Sequence, residues 1–356
     1  MVQIPPFDKK ELEVIGSYPS VVSDAYYTSS GYETPKLRTP ITPRENWDLF
    51  FKHENPYWVP DGIADLNLIC PAVLPDTIPF TRGGVDAFGV EWVSEGGALG
   101  GAMPTPGVTR LEDMSEWEKL EWPDVASWDW SKAKSEHKVL DPDRPTCVFY
   151  PTGVFERMIS LVGFEQAAIS FYEYPDEVHN FLDKLLEYNL ECMRYLKRYL
   201  NIDIFELSDD WGSSKSQFLS EALYREFLVP HVKELASAAH EMGIHFMHHC
   251  CGNVNALVPL MIEEGVDYWQ MNWEAVKPGF PDTLAKYKDQ ILFDAPIGAV
   301  EPVPEKDDDF RVYTAEQYRT YANTGCVSMN FWDYNYRSFN TREYLYQQAR
   351  LTMLGE

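Results

Sequence analysis

Basic residues are scarce in this 356-residue chain: 30 Lys and Arg stand against 56 Asp and Glu, a formal charge of −26. A surface of that sign repels phosphate backbones and anionic headgroups, which excludes nucleic acid and membrane surfaces as expected partners but leaves a basic patch on another protein open. No apolar run approaches the ~20 residues that a membrane helix needs, and residues 1–10 hold no apolar stretch of signal-peptide length. The expectation is a soluble, cytoplasmic protein. Cysteine is sparse as well. The six, Cys70, Cys147, Cys192, Cys250, Cys251 and Cys326, show no framework spacing, which argues for reduced thiols rather than a disulfide scaffold. A Gly-rich dinucleotide fingerprint and a phosphate loop are both missing, which counts against a doubly wound nucleotide-binding fold.

What is present is an alternation. Residues 1–40 are rich in Pro, Ser and Tyr without periodicity and read as an arm wrapping the domain or the partner subunit of a homodimer. Thr42-Pro43-Arg44-Glu45 then opens a helix, with Thr42 as cap, Pro43 at the first position and Glu45 reaching back. Eight glycines between Gly83 and Gly107 surround Asp86-Ala87-Phe88-Gly89-Val90-Glu91-Trp92, a density that implies irregular β-turn structure. Beyond residue 143, extended runs at 147–150, 204–207, from 245, 266–269, 291–294 and 327–331 alternate with helical periodicity, clearest where Val178, Phe181, Leu182, Leu185, Leu186, Leu190, Met193 and Leu196 recur every three or four residues. Repeated strand-then-helix units imply a parallel sheet covered by helices. We expect an α/β protein, a single (β/α)8 TIM barrel over residues 41–356 preceded by the arm.

In such a barrel, chemistry sits at the C-terminal ends of the strands. That rule selects Tyr150 to Gly153, Glu206, Asp209, Asp210 and Trp211, the cluster His248-His249-Cys250-Cys251, Gln270 to Glu274, Asp294, and Asn330 to Asp333. Alternate strand residues share a face, so His249 acts with Cys251 or His248 with Cys250, but not both pairs together. One imidazole and one thiolate make half of a zinc site, and Cys326, Glu206, Asp209 and Asp210 are the candidates to complete it. The plain reading is that thiols and imidazoles pack at a strand end and that an Asp after a strand caps the next helix. Of the two adjacent aspartates one should face the cavity, Asp210 by preference, and the other support the loop or helix. Glu206, Asp209 and Asp210 are thus the catalytic carboxylate candidates. Tyr150, Trp211, Trp269 and Asn330 are the candidate substrate-binding residues. With Trp273 and Phe331-Trp332, the tryptophans among them suggest a flat apolar pocket for an aromatic ligand, although most aromatics are core material.

These motifs, in this order, resemble a known family. Thr42-Pro43-Arg44-Glu45-Asn46 resembles the opening of uroporphyrinogen decarboxylase-like proteins. The Asp86 to Trp92 segment, with Gly100-Gly101-Ala102-Met103 and Pro106-Gly107, is similar to the corrinoid-linked branch. Gly153-Val154-Phe155-Glu156, Gly163-Phe164-Glu165 and Asp209-Asp210-Trp211-Gly212 match family positions. His249-Cys250-Cys251-Gly252-Asn253 is similar to the His-x-Cys-Gly-Asn element that supplies two zinc ligands in corrinoid–coenzyme M methyltransferases. The resemblance covers roughly residues 40–350. It departs in lacking the N-terminal Arg-Gln-Ala-Gly-Arg element that binds the acidic porphyrinogen, and in placing Cys326, the candidate third ligand, early on its strand. It implies a zinc-assisted methyltransferase I of an anaerobic O-demethylase system, moving a methyl group from a methoxylated aromatic to cob(I)alamin on a corrinoid carrier protein. The alternatives are a methylcorrinoid:thiol methyltransferase, a decarboxylase or lyase on the same barrel, and an inactive binding subunit.

Overall fold

The computed structural model describes residues 4–18, 34–76, 83–94, 102–298, 303–331 and 340–356. Twelve strands are found among them: β1 (Val14–Tyr18), β2 (Thr34–Leu37), β3 (Asn67–Ile69), β4 (Gly84–Val85), β5 (Glu91–Ser94), β6 (Ala102–Pro104), β7 (Thr146–Tyr150), β8 (Ile204–Ser208), β9 (His245–Cys250), β10 (Tyr268–Met271), β11 (Leu292–Ile297) and β12 (Val327–Phe331). Seven of these form one parallel sheet in the order β12-β11-β10-β9-β8-β7-β3. The Met329 amide donates to the Pro60 carbonyl at 3.0 Å, so the segment entering β3 lies along the last strand and the sheet curls onto itself. This is the α/β barrel that the strand–helix alternation predicts. Strands β7, β8, β10, β11 and β12 are buried along their whole length, as strands covered on both faces are.

Local chemistry explains the covering helices. Thr42 and Glu45 form a reciprocal capping box ahead of Pro43–Phe51, the Thr42 amide reaching the Glu45 carboxylate at 2.7 Å. The helix Pro175–Leu200 buries Val178, Phe181, Leu182, Leu185, Met193, Leu196 and Leu200 along one stripe and stops at Asn201, in the left-handed region at φ 51°. The strand read from 266–269 is found two residues later, at Tyr268–Met271; just before it, the Asp267 carboxylate accepts from the Phe246 amide (2.8 Å) and lies 2.7 Å from the His240 ring.

Two small sheets flank the barrel. Strands β1 and β2 pair antiparallel within the arm, and Glu11 beside them accepts from Arg350 (2.8 Å) and Tyr346 (2.6 Å) of the helix Asn340–Leu354, which ties the described part of the arm to its own domain. Strands β4, β5 and β6 make the antiparallel meander of the Gly-rich segment, whose residues 95–101 lie outside the described ones, as do Trp332 and Asp333. Asp86 organises its turn by accepting from the amides of Phe88 and Val90, both at 2.9 Å, and from the Trp92 indole at 3.0 Å. Among the described residues no helix is long and apolar enough to cross a membrane.

Candidate metal and catalytic site

Side-chain alternation sorts the strand-end residues into two layers. Glu206, Ser208, His249, Gln270, Asp294, Ser328 and Asn330 point into the barrel, where His249, Gln270, Asp294 and Ser328 are register neighbours on four adjacent strands. Tyr150 points outward, its hydroxyl donating to Asn189 of the helix Pro175–Leu200 at 2.9 Å. Trp269 lies against Phe293 in the same outer layer, and its indole reaches the Cys250 carbonyl at 3.4 Å. Trp211 stacks on Tyr224, with its edge toward His248. These three expected substrate-binding residues are therefore corrected to core residues, and the aromatic-pocket argument goes with them. Trp273 is likewise buried against Phe280 and Tyr321. Asn330 alone of the four faces the barrel, donating to Asp294.

At the mouth, Asp210, His249 and Cys251 bring one donor atom each to within 4.8 Å of one another. His249 Nε2 lies 3.4 Å from Cys251 Sγ and 3.7 Å from Asp210 Oδ1, and Asp210 Oδ1 also accepts from the Cys251 amide at 2.7 Å. Carboxylate, imidazole and thiolate converging on one point fit zinc held by three protein ligands with a fourth position open. A neighbouring feature strengthens the fit. Glu156 is half-buried beside Asp210 and His249, and one of its carboxylate oxygens is enclosed without a hydrogen-bond partner. Burial, with Asp210 and Asp209 adding to it, holds the Glu156 carboxyl well above its ordinary range. Burial would lower the His249 imidazole, but Cys251, Asp210 and Glu206 outweigh it and hold the group well above its usual value.

His248 and Cys250 belong to the opposite face. His248 Nε2 contacts the Asp209 carbonyl at 3.2 Å, and burial pushes its imidazole down to about 3. The Cys250 sulfur accepts from the Trp211 amide at 3.3 Å. Cys326 is corrected as a candidate ligand. It precedes β12 at the end of the barrel away from the mouth, with its sulfur 3.0 Å from the Thr324 hydroxyl and with Lys288 and Asp289 nearby. The five residues of β12 separate it from the mouth, roughly 15 Å at the strand rise.

The two adjacent aspartates diverge. Asp210 joins the donor cluster, while Asp209 is fully buried and accepts from the Phe155 (3.1 Å) and Glu156 (2.8 Å) amides at the start of the helix Val154–Val162 and from the Trp211 indole at 2.7 Å. Glycine is required where these loops meet. At Gly252 (φ 95°) a Cβ would lie 2.2 Å from the Gly212 backbone, and at Gly153 2.5 Å from Asp209 Cβ. Asp209→Ala is expected to lower folding stability by about 2–3 kcal/mol through the orphaned amides and indole while keeping stoichiometric zinc. Asp210→Asn should do the reverse. Urea unfolding with metal analysis checks this, and zinc loss in Asp209→Ala with zinc kept in Asp210→Asn would reverse the assignment.

Glu206 lies deeper, in the barrel interior. The Cys147 thiol donates to one of its oxygens at 3.6 Å, the other has no partner, and burial pushes the carboxyl up to about 7. Because the folded value exceeds the unfolded one near 4.5, the folded state keeps a proton that the unfolded chain has released. This contribution to stability is therefore lost as pH rises from about 4.5 to about 7, on the order of 3 kcal/mol at ~1.4 kcal/mol per pH unit. Urea unfolding of Glu206→Gln should show less loss of stability between pH 5 and pH 8 than the wild type, and parallel curves would contradict the buried-acid assignment.

Glu156 is the neighbour of the cluster that residue-type reasoning passes over, and Gln270 and Asp294 are reached by it only as strand-end positions. Glu156 stands in the family-like Gly153 to Glu156 segment and the other two stand at strand ends, but nothing in the chain pairs them with His249 or Asp210.

The fold and site together define a class: parallel α/β barrels with a His-x-Cys pair and a carboxylate at the C-terminal mouth. The family model for uroporphyrinogen decarboxylase (URO-D) matches residues 111–290, just over half of the chain, and the protein belongs to that family. Among solved structures, a methyltransferase from Methanosarcina mazei superposes with a TM-score of 0.59 at 12% identity, over 87% of this chain and 98% of that one. What the two share at this identity is the fold. A xylose isomerase-like TIM barrel protein from Mycobacterium smegmatis gives a TM-score of 0.38 at 12% identity over 66% of this chain and 81% of its own. The E. coli 3-keto-D-glucoside 4-epimerase YcjR gives 0.34 at 12% identity over 61% and 84%. No curated protein matches the sequence.

Proposed function

We propose that this protein is a zinc-assisted methyltransferase that takes a methyl group from an ether, in the first instance a methoxylated aromatic, and passes it to a corrinoid on a carrier protein. The carrying observation is the convergence of Asp210, His249 and Cys251 at the barrel mouth. When bound, zinc would supply a Lewis acid for the departing oxygen and the carrier a cobalt(I) nucleophile for the methyl carbon, so that the carbon–oxygen bond breaks with its electron pair on oxygen, which then takes a proton. Asp210 is held by the Cys251 amide and so pre-set beside His249. Asp209 anchors the helix that carries Glu156 to the same loop. Asp210, His249 and Cys251 are each half-buried, so the charges among them are partly withdrawn from water and open to a substrate on one side.

A mixed ligand set favours an oxygen substrate over a thiol acceptor. One carboxylate in a set with a single thiolate makes a harder ion than a thiolate-rich site does, and a harder ion prefers oxygen. The aromatic nature of the donor rests on the family resemblance. Incubation with a reduced corrinoid protein and a panel of methoxyarenes and alkyl methyl ethers tests the reading. The expected result is a phenol or alcohol together with the spectral change of methylated corrinoid. Failure of every ether, beside demethylation of methylcobalamin by a thiol, would overturn it in favour of the thiol-accepting reaction.

A further inference from the structure

We propose that Gln270 and Asp294 form a positioning relay that sets which nitrogen of His249 faces the mouth, an inference that builds on the reading of His249 as a ligand. A neutral imidazole has one donor and one acceptor nitrogen, so a ligand histidine must place its proton on the nitrogen turned away from the metal. His249 Nδ1 lies 2.7 Å from Gln270 Oε1, and Gln270 Nε2 lies 3.0 Å from Asp294 Oδ2.

The direction of these bonds follows from what surrounds Asp294. The Ser328 hydroxyl donates to Asp294 Oδ1 at 2.6 Å, and the Asn330 amide donates to both carboxylate oxygens at 3.2 and 3.3 Å. Tyr268 hydrogen-bonds Ser328 in turn. A carboxylate so surrounded is an acceptor, so the NH2 end of Gln270 must face it and the carbonyl end must face His249. Gln270 Oε1 only accepts. When the His249 ring is neutral, as a ligand must be, its proton is therefore on Nδ1 and the Nε2 lone pair faces Cys251 and Asp210.

The sheet makes this relay rigid. His249, Gln270 and Asp294 are register partners on β9, β10 and β11, so backbone ladders set their spacing. Gln270 and Asp294 are buried, which removes water as a competing partner. Neither residue reaches the donor cluster itself. They act through His249, as outer partners of ligand histidines do.

Two measurements test the relay. Zinc affinity by chelator competition should fall ~10–100-fold in Gln270→Leu, the range for loss of such a partner. It should return to within about threefold of wild type in the double variant Gln270→Glu with Asp294→Asn, which restores the acceptor toward His249 and keeps one donor and one acceptor at the contact between positions 270 and 294. A leucine variant with wild-type affinity, or a double variant no better than the leucine one, would overturn the proposal. The second measurement needs no metal. In 15N-histidine spectra of the metal-free protein, at alkaline pH where His249 is neutral, wild type should show the Nδ1–H form and Gln270→Leu a shift toward Nε2–H. An Nε2–H form in the wild type would sink the relay whatever zinc does. The expected spectra in a protein that binds no zinc would instead uphold the relay and remove the metal reading.

Discussion

Stoichiometric zinc is expected to be lost from His249→Ala, Cys251→Ser and Asp210→Asn, and methyl transfer with it. Each change removes one of three donors that lie within 4.8 Å of one another, leaving a two-ligand fragment. The loss in affinity should exceed the ~10–100-fold that follows removal of an outer-shell partner. Two controls separate ligand loss from general damage. His248→Ala touches the opposite strand face, where the imidazole meets the Asp209 carbonyl and Trp211. Cys326→Ser changes a thiol beside Thr324 at the far end of the barrel. Both should retain zinc, with any cost to His248→Ala appearing as a lower unfolding midpoint. Elemental analysis of the five purified variants decides the matter. Zinc kept by all three cluster variants would remove the metal reading, and zinc lost in Cys326→Ser would contradict a ligand set of Asp210, His249 and Cys251.

The largest effect on stability is expected from Arg157→Met. The Arg157 guanidinium is buried and donates to Asp86 at 2.6 Å, to Asp76 at 2.8 Å and to Thr152 Oγ1 at 2.5 Å, while lying over the Phe88 ring at 4.4 Å. Removing the cation leaves two buried carboxylates without their partner, a loss of about 3–5 kcal/mol. Through Asp86 it should also loosen the β4–β5 turn, whose Phe88, Val90 and Trp92 N–H groups all converge on that carboxylate. Urea unfolding of the variant measures the loss. Adding Asp76→Asn and Asp86→Asn should recover part of it, because a neutral buried cluster carries a smaller desolvation cost than two unpaired charges. An Arg157→Met protein within about 1 kcal/mol of wild type would show that the ion-pair hub contributes little.

Much of the fold was legible in the chain because its causes are local. The capping box at Thr42 and Glu45, the apolar stripe of Pro175–Leu200 and the short buried runs at each strand depend on neighbours within a few residues. The candidate site was only partly legible. Strand alternation put His249 on one face with Cys251, but aromatic residues at strand ends read the same whether they turn toward the barrel or toward the helices. Tyr150, Trp211 and Trp269 turn toward the helices, since their bulk fills the sheet–helix layer while smaller polar groups take the barrel interior.

By itself, then, the sequence determined the order of strands and helices, the parallel sheet, and the spacing that lets His249 and Cys251 act together, all consequences of backbone periods that a short segment carries in full. Only the tertiary structure decided that Asp210 stands with them and Cys326 does not, that Glu156 lies beside Asp210, and that Gln270 and Asp294 stand behind His249. Those relations join residues far apart in the chain. Pairing of β8 with β9 places Asp210, in the loop that follows β8, beside His249, while Cys326 stands at the opposite end of β12, and which donors share a mouth depends on strand pairing and direction rather than on any pattern within one segment.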